Sequence, residues 1–488
     1  MIHRYRTLLF LSFAFTFFIA ASLVLFYAYG YRFSFERGIF IYTGSLSLKT
    51  NVETVSITVD GSAIPEKRLG LLNNSIHIAG LNPGEHFVEV SAPGYRSWGK
   101  KVVIQSGLTT EFWNIFLIEE NYAQEAVYET KGVIKMFPSL NGLFATVKKN
   151  GDRYSVDILD PEAEENEEVF AVSDTTFVPT AETNIEWSPE SDKLIIPLLK
   201  DNISVFSVVD IKTKEAFYIN QATHISPPLR SPRWDATTRG YLFFLSQNSL
   251  YRFNTNRIEE APELIADHVA AYDISGNKLY YLHSESGIVY EMNGNGNSST
   301  AKQITPSAVP LDEQGTYSLI VYDDTRLSVI EETSGNFFVY NKVVEPALKK
   351  LGENVKSIQY SDDGKKLLFY TDNEVSVYFN QDWEAQPMRS KDDVIQIARF
   401  STPLKNVQWA EDYEHIIFSL GKNIKMIELD NRDRRNLSDL IVLDTPPLQI
   451  LSRFGTDRLY MVPEAASDTE QLSVISITLP QYATFFGF

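Results

Sequence analysis

The 488-residue chain has no cysteine. That one absence excludes disulfides, thiolate zinc sites, iron–sulfur clusters and cysteine nucleophiles. A chain of this kind working outside the cytoplasm must be held by packing alone. Positive charge is also short: 44 Lys and Arg stand against 63 Asp and Glu, a formal net charge of −19. A surface that negative repels phosphate backbones, which argues against nucleic acid as a partner. Histidine is scarce, with seven in all: His3, His77, His86, His224, His268, His283 and His415. None forms HExxH or another short metal-ligand spacing, so structural or surface roles are expected for them. There is no GxSxG elbow for a serine nucleophile, no P-loop and no kinase signature. No catalytic residue, metal site or cofactor is therefore expected.

What is abundant is apolar and aromatic. Apolar residues make up 44% and aromatics 13%, enough to fill large cores and, with frequent Val and Ile, weighted toward strands. The length suggests two to four domains. The first segment differs from the rest. Arg4 and Arg6 precede an uncharged apolar run from Leu8 to about Tyr29, roughly the ~20 residues a helix needs to cross a bilayer. Tyr27, Tyr29 and Tyr31 fall where an interfacial aromatic belt belongs. Two readings are open. A cleaved signal peptide would use Ala20-Ala21-Ser22, but the run continues past that point and exceeds a usual signal core. An uncleaved single-pass anchor over 8–31 fits the length better. With residues 1–7 cytoplasmic, either reading puts the rest of the chain outside the cytoplasmic membrane.

From Gly38 the pattern alternates with period two. Thr54 to Val59 ends at Asp60-Gly61, a strong turn signal. Ser75–Ile78, His86–Val90, Lys101–Ile104 and Glu111–Ile118 read as further strands, separated by turns at Pro83-Gly84, Pro93-Gly94 and Gly107. Such spacing predicts an antiparallel β-sandwich over 38–120. The order SITVDG, then LNPGEH, then APGY, then a strand ending at a Gly turn, resembles a PEGA domain. The four-letter turn of that family is only approximated, as Pro83-Gly84-Glu85-His86. The resemblance implies a small extracytoplasmic binding or spacer module, often beside a membrane anchor, and not an enzyme. Tyr95 and Trp98 have two readings here: caps on the sandwich core, or a candidate surface for stacking on a sugar or polymer.

Residues 121–488 carry a repeat of about 45 residues: an aromatic, a turn-rich tetrad, then an apolar strand. Copies include Phe137-Pro138-Ser139 with Leu143-Phe144-Ala145, and Trp187-Ser188-Pro189 with Leu194-Ile195-Ile196. Trp234-Asp235, Tyr272-Asp273, Tyr322-Asp323, Tyr360-Ser361 and Trp409-Ala410 begin later ones, and a weak last copy spans 452–461. WSPESDKLII and YSDDGKKLLF resemble TolB-like and WD-type repeats, which implies a β-propeller but no particular activity. Eight blades are counted, with seven the alternative because the end copies are weakest. The last copy supplies three strands only. Gln124–Tyr128, lying before the first copy, is the candidate for the fourth.

The fold class expected is thus all-β: an N-terminal transmembrane helix, a PEGA-like sandwich and a propeller. Two functions remain. The favoured one is a membrane-anchored extracytoplasmic binding or scaffolding protein, with the sandwich as stalk and the propeller as platform for an unidentified envelope protein or polymer. The alternative is a propeller enzyme acting on envelope glycan or polysaccharide through carboxylates clustered in its channel. The acidic run 162–168 (EAEENEE) reads as a solvated inter-strand loop, with calcium binding the weaker reading. NGNGNSST (293–300) reads as a flexible loop and not a nucleotide site.

Overall fold

The structure is a computed structural model that describes residues 2–34, 38–65, 75–163, 165–173, 175–177, 185–294, 301–452, 456–464 and 471–479. Most of the NGNGNSST stretch, part of the last repeat copy and the C-terminal TFFGF lie outside the described residues.

Helix α1 (Ile2–Ala28) contains the apolar run. Tyr5–Ala28 has a mean hydropathy of 2.5, and none of its most apolar window is covered by the rest of the chain. It is long and apolar enough to cross a membrane. Two short strands follow, β1 (Tyr31–Ser34) and β2 (Ile39–Tyr42). They pair antiparallel with Tyr31 opposite Tyr42 and Phe33 opposite Phe40.

The sandwich has two sheets. One holds β6 (Ser75–Leu81), β3 (Gly44–Thr50) and β9 (Thr109–Ile115) in that order. The other holds β5 (Ser62–Ile64), β4 (Ser56–Val59), β7 (Gly84–Ser91) and β8 (Trp98–Ile104). Alternate residues face inward, among them Leu46, Leu48, Ile57, Val59, Ile76, Ile78, Val88, Val90 and Phe112. Asp60 and Gly61 both take positive φ, 51° and 76°, the two-residue hairpin turn their sequence signals. One expectation is corrected: the sandwich is not wholly antiparallel, because β3 and β9 run parallel. Gly44, at the start of β3, lies so close to the end of β8 that a Cβ there would collide with the Gln105 carbonyl and the Ile104 side chain.

Beyond the sandwich, seven sheets of four consecutive antiparallel strands cover 133–172, 186–218, 229–266, 269–303, 317–352, 357–399 and 404–442. An eighth combines β10 (Glu125–Lys131) with three late strands, in the order β10, Gln471–Thr478, Arg458–Pro463, Pro447–Ser452. The early strand therefore supplies the fourth position of the last sheet, with Glu125 opposite Ser476 and Lys131 opposite Gln471.

Apolar clusters join each sheet to the next in chain order. The last of them brings Tyr460, Val462 and Val474 of the eighth sheet against Met136, Phe144 and Leu159 of the first. The sheets therefore form a closed cycle, and the fold is a β-propeller.

The repeated aromatic has a physical task. Trp187 donates its indole N–H to the Phe137 carbonyl (3.0 Å), Trp234 to that of Glu186 (3.2 Å) and Trp409 to that of Gln359 (3.1 Å). Each tryptophan thus ties its sheet to the one before. The residue beside the aromatic ties forward. Glu186 accepts from the Trp234 amide (3.0 Å), Gln359 from the Trp409 amide (3.2 Å) and Gln408 from the Ser452 amide (3.1 Å). Gln449 of the eighth sheet closes this belt by accepting from the Met136 amide (2.8 Å) and donating to its carbonyl (2.9 Å).

The acidic run corrects a second expectation. Glu165–Val172 is not a loop but the outer strand of the first sheet. Its first four residues are exposed, with Glu167 paired to Lys214 and Glu168 to Arg153, both at 2.6 Å. Charge here serves an edge strand, which must avoid pairing with other chains.

Candidate interaction sites

Trp98 and Lys100 lie on β8, two residues apart and therefore on one face of the strand. That face meets the propeller. Trp98 is only 4% exposed, and its indole N–H donates to Glu428 Oε2 at 3.0 Å. Its other contacts are internal, with the Phe112 ring 5.1 Å away. This leaves Trp98 no free face for a ligand, so the stacking reading is replaced by a contact between domains. Tyr95 is half-buried against the sandwich core. Burial and the neighbouring Glu119 carboxylate push its phenol pKa up.

Lys100 is fully buried. Its ammonium lies 2.7 Å from Glu428 Oε1 and donates to the carbonyls of Asp430 (2.8 Å) and Arg432 (3.1 Å). Glu428 ends the third strand of the seventh sheet and also accepts from Asn436 through its amide N–H (2.7 Å) and Nδ2 (2.9 Å). Asp430 is gripped by Arg432, and both the Arg432 and Lys100 charges hold its carboxyl below the usual carboxylate range against the cost of burial. Arg432 stacks over Phe112 at 3.7 Å and donates to the Glu111 carbonyl at 2.7 Å. From the sixth sheet Gln386 accepts from the Glu111 amide (3.0 Å) and donates to the Thr109 carbonyl (3.1 Å). A second buried ionic group lies alongside. Lys366 pairs with Glu414, His415 lies 2.6 Å from Asp412, and Phe116 packs on His415. The sandwich is thus fixed to the sixth and seventh sheets by buried, compensated charge.

The second site is a cavity of about 700 Å³ among the innermost strands of the second to sixth sheets. Its polar lining includes Glu186, Ser231, Arg233, Ser318, Glu332 and Lys356. Arg233 is held between two carboxylates, 3.0 Å from Glu186 Oε2 and 3.0 Å from Asp273 Oδ1. Asp273 in turn accepts from the Val321 amide at 2.8 Å. Burial pushes both carboxyls above their ordinary range, and Arg233 opposes that. Ser318 donates to Glu332 at 2.8 Å. Among the described residues no group of three or more His, Asp or Glu is placed to hold a metal ion.

Residues 43–115 match the PEGA domain. The matched span runs from the residue before β3 to the last residue of β9, so the PEGA domain carries Trp98, Lys100 and Phe112 of the junction. The β1–β2 hairpin and the propeller lie outside it. No curated protein matches the chain. Solved structures similar to it include the propeller domain of Myceliophteria thermophila Cps50 (Swd1), at 10% identity and a TM-score of 0.42, covering 73% of this chain and 99% of that one. Kluyveromyces lactis Hsv2 is similar at 10% identity and a TM-score of 0.40, covering 64% and 98%. The dihydro-heme d1 dehydrogenase NirN is similar at 10% identity and a TM-score of 0.44, covering 73% and 78%. The propeller assignment rests on the strand order and ring closure above.

Sequence reasoning passed over Lys100, Glu428, Arg233 and Glu186. Two signals were present. Lys100 sits in phase with Trp98, Val102 and Ile104, the inward positions of β8. Glu186 and Arg233 each precede a repeat tryptophan, where an uncharged residue would fit a plain core strand.

Proposed function

We propose that the chain is a single-pass, membrane-anchored scaffold with its N-terminus in the cytoplasm. The PEGA domain and propeller then lie outside as one rigid body, and the cavity receives an envelope protein or polymer. The observation that carries this reading is the state of the cavity's strongest charges. Arg233, Glu186 and Asp273 compensate one another and brace the inner strands, which suits a preformed recognition surface. The buried junction supports the sandwich as a fixed stalk for the propeller platform. Tyr95, half-buried against the core of the PEGA domain, is the remaining aromatic through which a polymer would be met. The test places a photo-crosslinking amino acid at Ile320, on the cavity wall, in the full chain in native membranes. A discrete adduct is expected from Ile320 and none from Leu140, an 87% exposed residue beyond the cavity. No adduct at Ile320, or equal yields at both positions, overturns the reading.

One observation favours an enzyme acting on envelope glycan: two carboxyls of raised pKa beside one cavity, the setting of acid–base chemistry. Under that reading Glu186→Gln would abolish release of soluble fragments from isolated envelope polymer. No release by the unaltered protein counts against it.

A further inference from the structure

The hairpin β1–β2 has a composition at odds with an aqueous setting. Its register puts Tyr31, Phe33, Phe40 and Tyr42 on one face, so all four residues of that face are aromatic. The rings form a continuous set: Tyr31 on Tyr42 at 4.9 Å, Phe33 against Phe40 at 5.3 Å, and both Tyr31 and Phe40 against Phe26 of α1 at 5.3 and 5.9 Å. Even so, Phe33, Phe40 and Tyr42 keep 44%, 48% and 41% of their surface exposed, and Ile39 on the other face keeps 55%. Among the described residues the hairpin pairs with no third strand. A lone two-stranded hairpin is marginal in water, and an apolar patch this dense marks a contact surface.

The occupant follows from continuity. Through Phe26 the hairpin's apolar surface runs directly into that of α1. At the same level Arg32 caps the helix end. It donates to the Tyr27 carbonyl at 2.8 Å while its guanidinium lies 3.6 Å over the Tyr27 ring. Tyrosine and arginine at a helix end are the groups that settle at a membrane–water boundary. Depth follows from hydrogen bonding. A two-stranded sheet has two open edges, and hydrocarbon cannot satisfy them, so the hairpin belongs in the hydrated headgroup layer and not in the bilayer core.

Resting on the anchor reading above, we infer that the hairpin lies in the interfacial layer of the outer leaflet as a second membrane contact, orienting the PEGA domain on the lipid surface. The link to the domain is stiff. The Thr43 amide and hydroxyl both donate to the Gly30 carbonyl, at 3.0 and 2.6 Å, and the Gly107 amide donates to the Thr43 carbonyl at 3.0 Å. Gly107 has φ +70°, and a Cβ there would strike the Tyr42 ring. Helix, hairpin and sandwich thus move together, and the depth of the hairpin sets the height and tilt of everything beyond it.

The cysteine-free chain allows single spin labels. Phe40→Cys, Ile39→Cys, Phe17→Cys in α1 and Leu140→Cys on the propeller would each be labelled with a nitroxide. The full chain is then reconstituted in phosphatidylcholine–phosphatidylglycerol vesicles, and collision with oxygen is compared with collision with a water-soluble nickel chelate. The label at 17 should favour oxygen strongly and that at 140 should favour nickel. Labels at 39 and 40 should fall between, losing nickel collisions relative to 140. Labels at 39 and 40 as open to nickel as 140, with 17 immersed, overturn the inference and leave the anchor standing. Labels shielded from both reagents mean a protein covers the hairpin, such as a second copy of this chain, and also overturn it. A label at 17 that behaves like 140 removes the anchor reading itself.

Discussion

Replacing Lys100 with methionine tests whether the junction is held by compensated charge. The ammonium is fully buried and serves Glu428 and two backbone carbonyls. Methionine fills similar volume, so little cavity forms. What it removes is the countercharge of Glu428, itself 4% exposed. Breaking a buried ion pair by deleting one partner costs about 3–5 kcal/mol. Glu428 keeps three donors, from Trp98 and Asn436, so the lower end of that range is expected. Local opening of the junction should then rise roughly a hundred- to a few-hundred-fold. Hydrogen exchange of the amides in β8 and in 429–436 reads this directly, without assuming that a multidomain chain unfolds in one step. The double variant Lys100→Met with Glu428→Gln carries the argument further. Its glutamine oxygen still accepts from Asn436, the uncompensated carboxylate at 428 is gone, and Asp430 keeps its pairing with Arg432, so most of the lost protection should return. Unchanged protection in Lys100→Met, or a double variant no better protected than the single one, refutes the reasoning.

The closing strand gives a second expectation: a chain beginning at Gly132 lacks β10 and should melt lower and aggregate more readily than one beginning at Glu119. Equal melting and solubility would contradict the pairing of Glu125 with Ser476. A third concerns pH. Burial raises Glu414 to about 7 from an ordinary 4.5, with Lys366 opposing. Burial lowers His415, but the Asp412 carboxylate outweighs it and the net shift is upward. Both groups hold protons in the folded state that the unfolded chain releases sooner, so their contribution falls as pH rises from about 5 to 8. The urea midpoint should drop across that window, and His415→Gln should flatten the drop. Fourth, Glu165→Val with Glu167→Val turns an acidic edge strand into an adhesive one, and light scattering at fixed concentration should show faster aggregation than the unaltered chain.

How far the fold could be read in advance depends on whether the governing interaction is local. The PEGA sandwich and the repeat were legible because Asp60-Gly61 and WSPESD encode turns by themselves. The fourth strand of the last sheet was legible by elimination, since 448–479 offered three strands and 124–128 had no other sheet to join. The parallel pairing of β3 with β9 was not, because alternation reports which face a strand buries and not which neighbour it takes. The acidic run misled for a related reason. On an outer strand backbone pairing overrides composition, and Glu165–Glu168 can be both charged and extended. The role of Trp98 was beyond reach. Its partner Glu428 lies in another domain, and no spacing connects two residues that meet only after both domains have folded. The cavity pair of Arg233 and Glu186 is intermediate: their unusual places beside the tryptophans were visible, but their mutual contact needed the ring.

That ring has a consequence in time. The strand that locks it, β10, is synthesised before any complete propeller sheet, whereas its partner Gln471–Thr478 follows all seven complete sheets and two strands of the eighth. Until Ser476 arrives, Glu125 has no strand to pair with, and the seven sheets between stand as an open arc with an uncovered apolar face at each end. Contacts this distant in sequence form late and slowly. A chain cut short anywhere before 471 therefore never pairs β10, however well its individual sheets have folded. Arrival of this one strand is thereby written into the structure as a physical state, one that a protease or chaperone sensitive to exposed strands can distinguish.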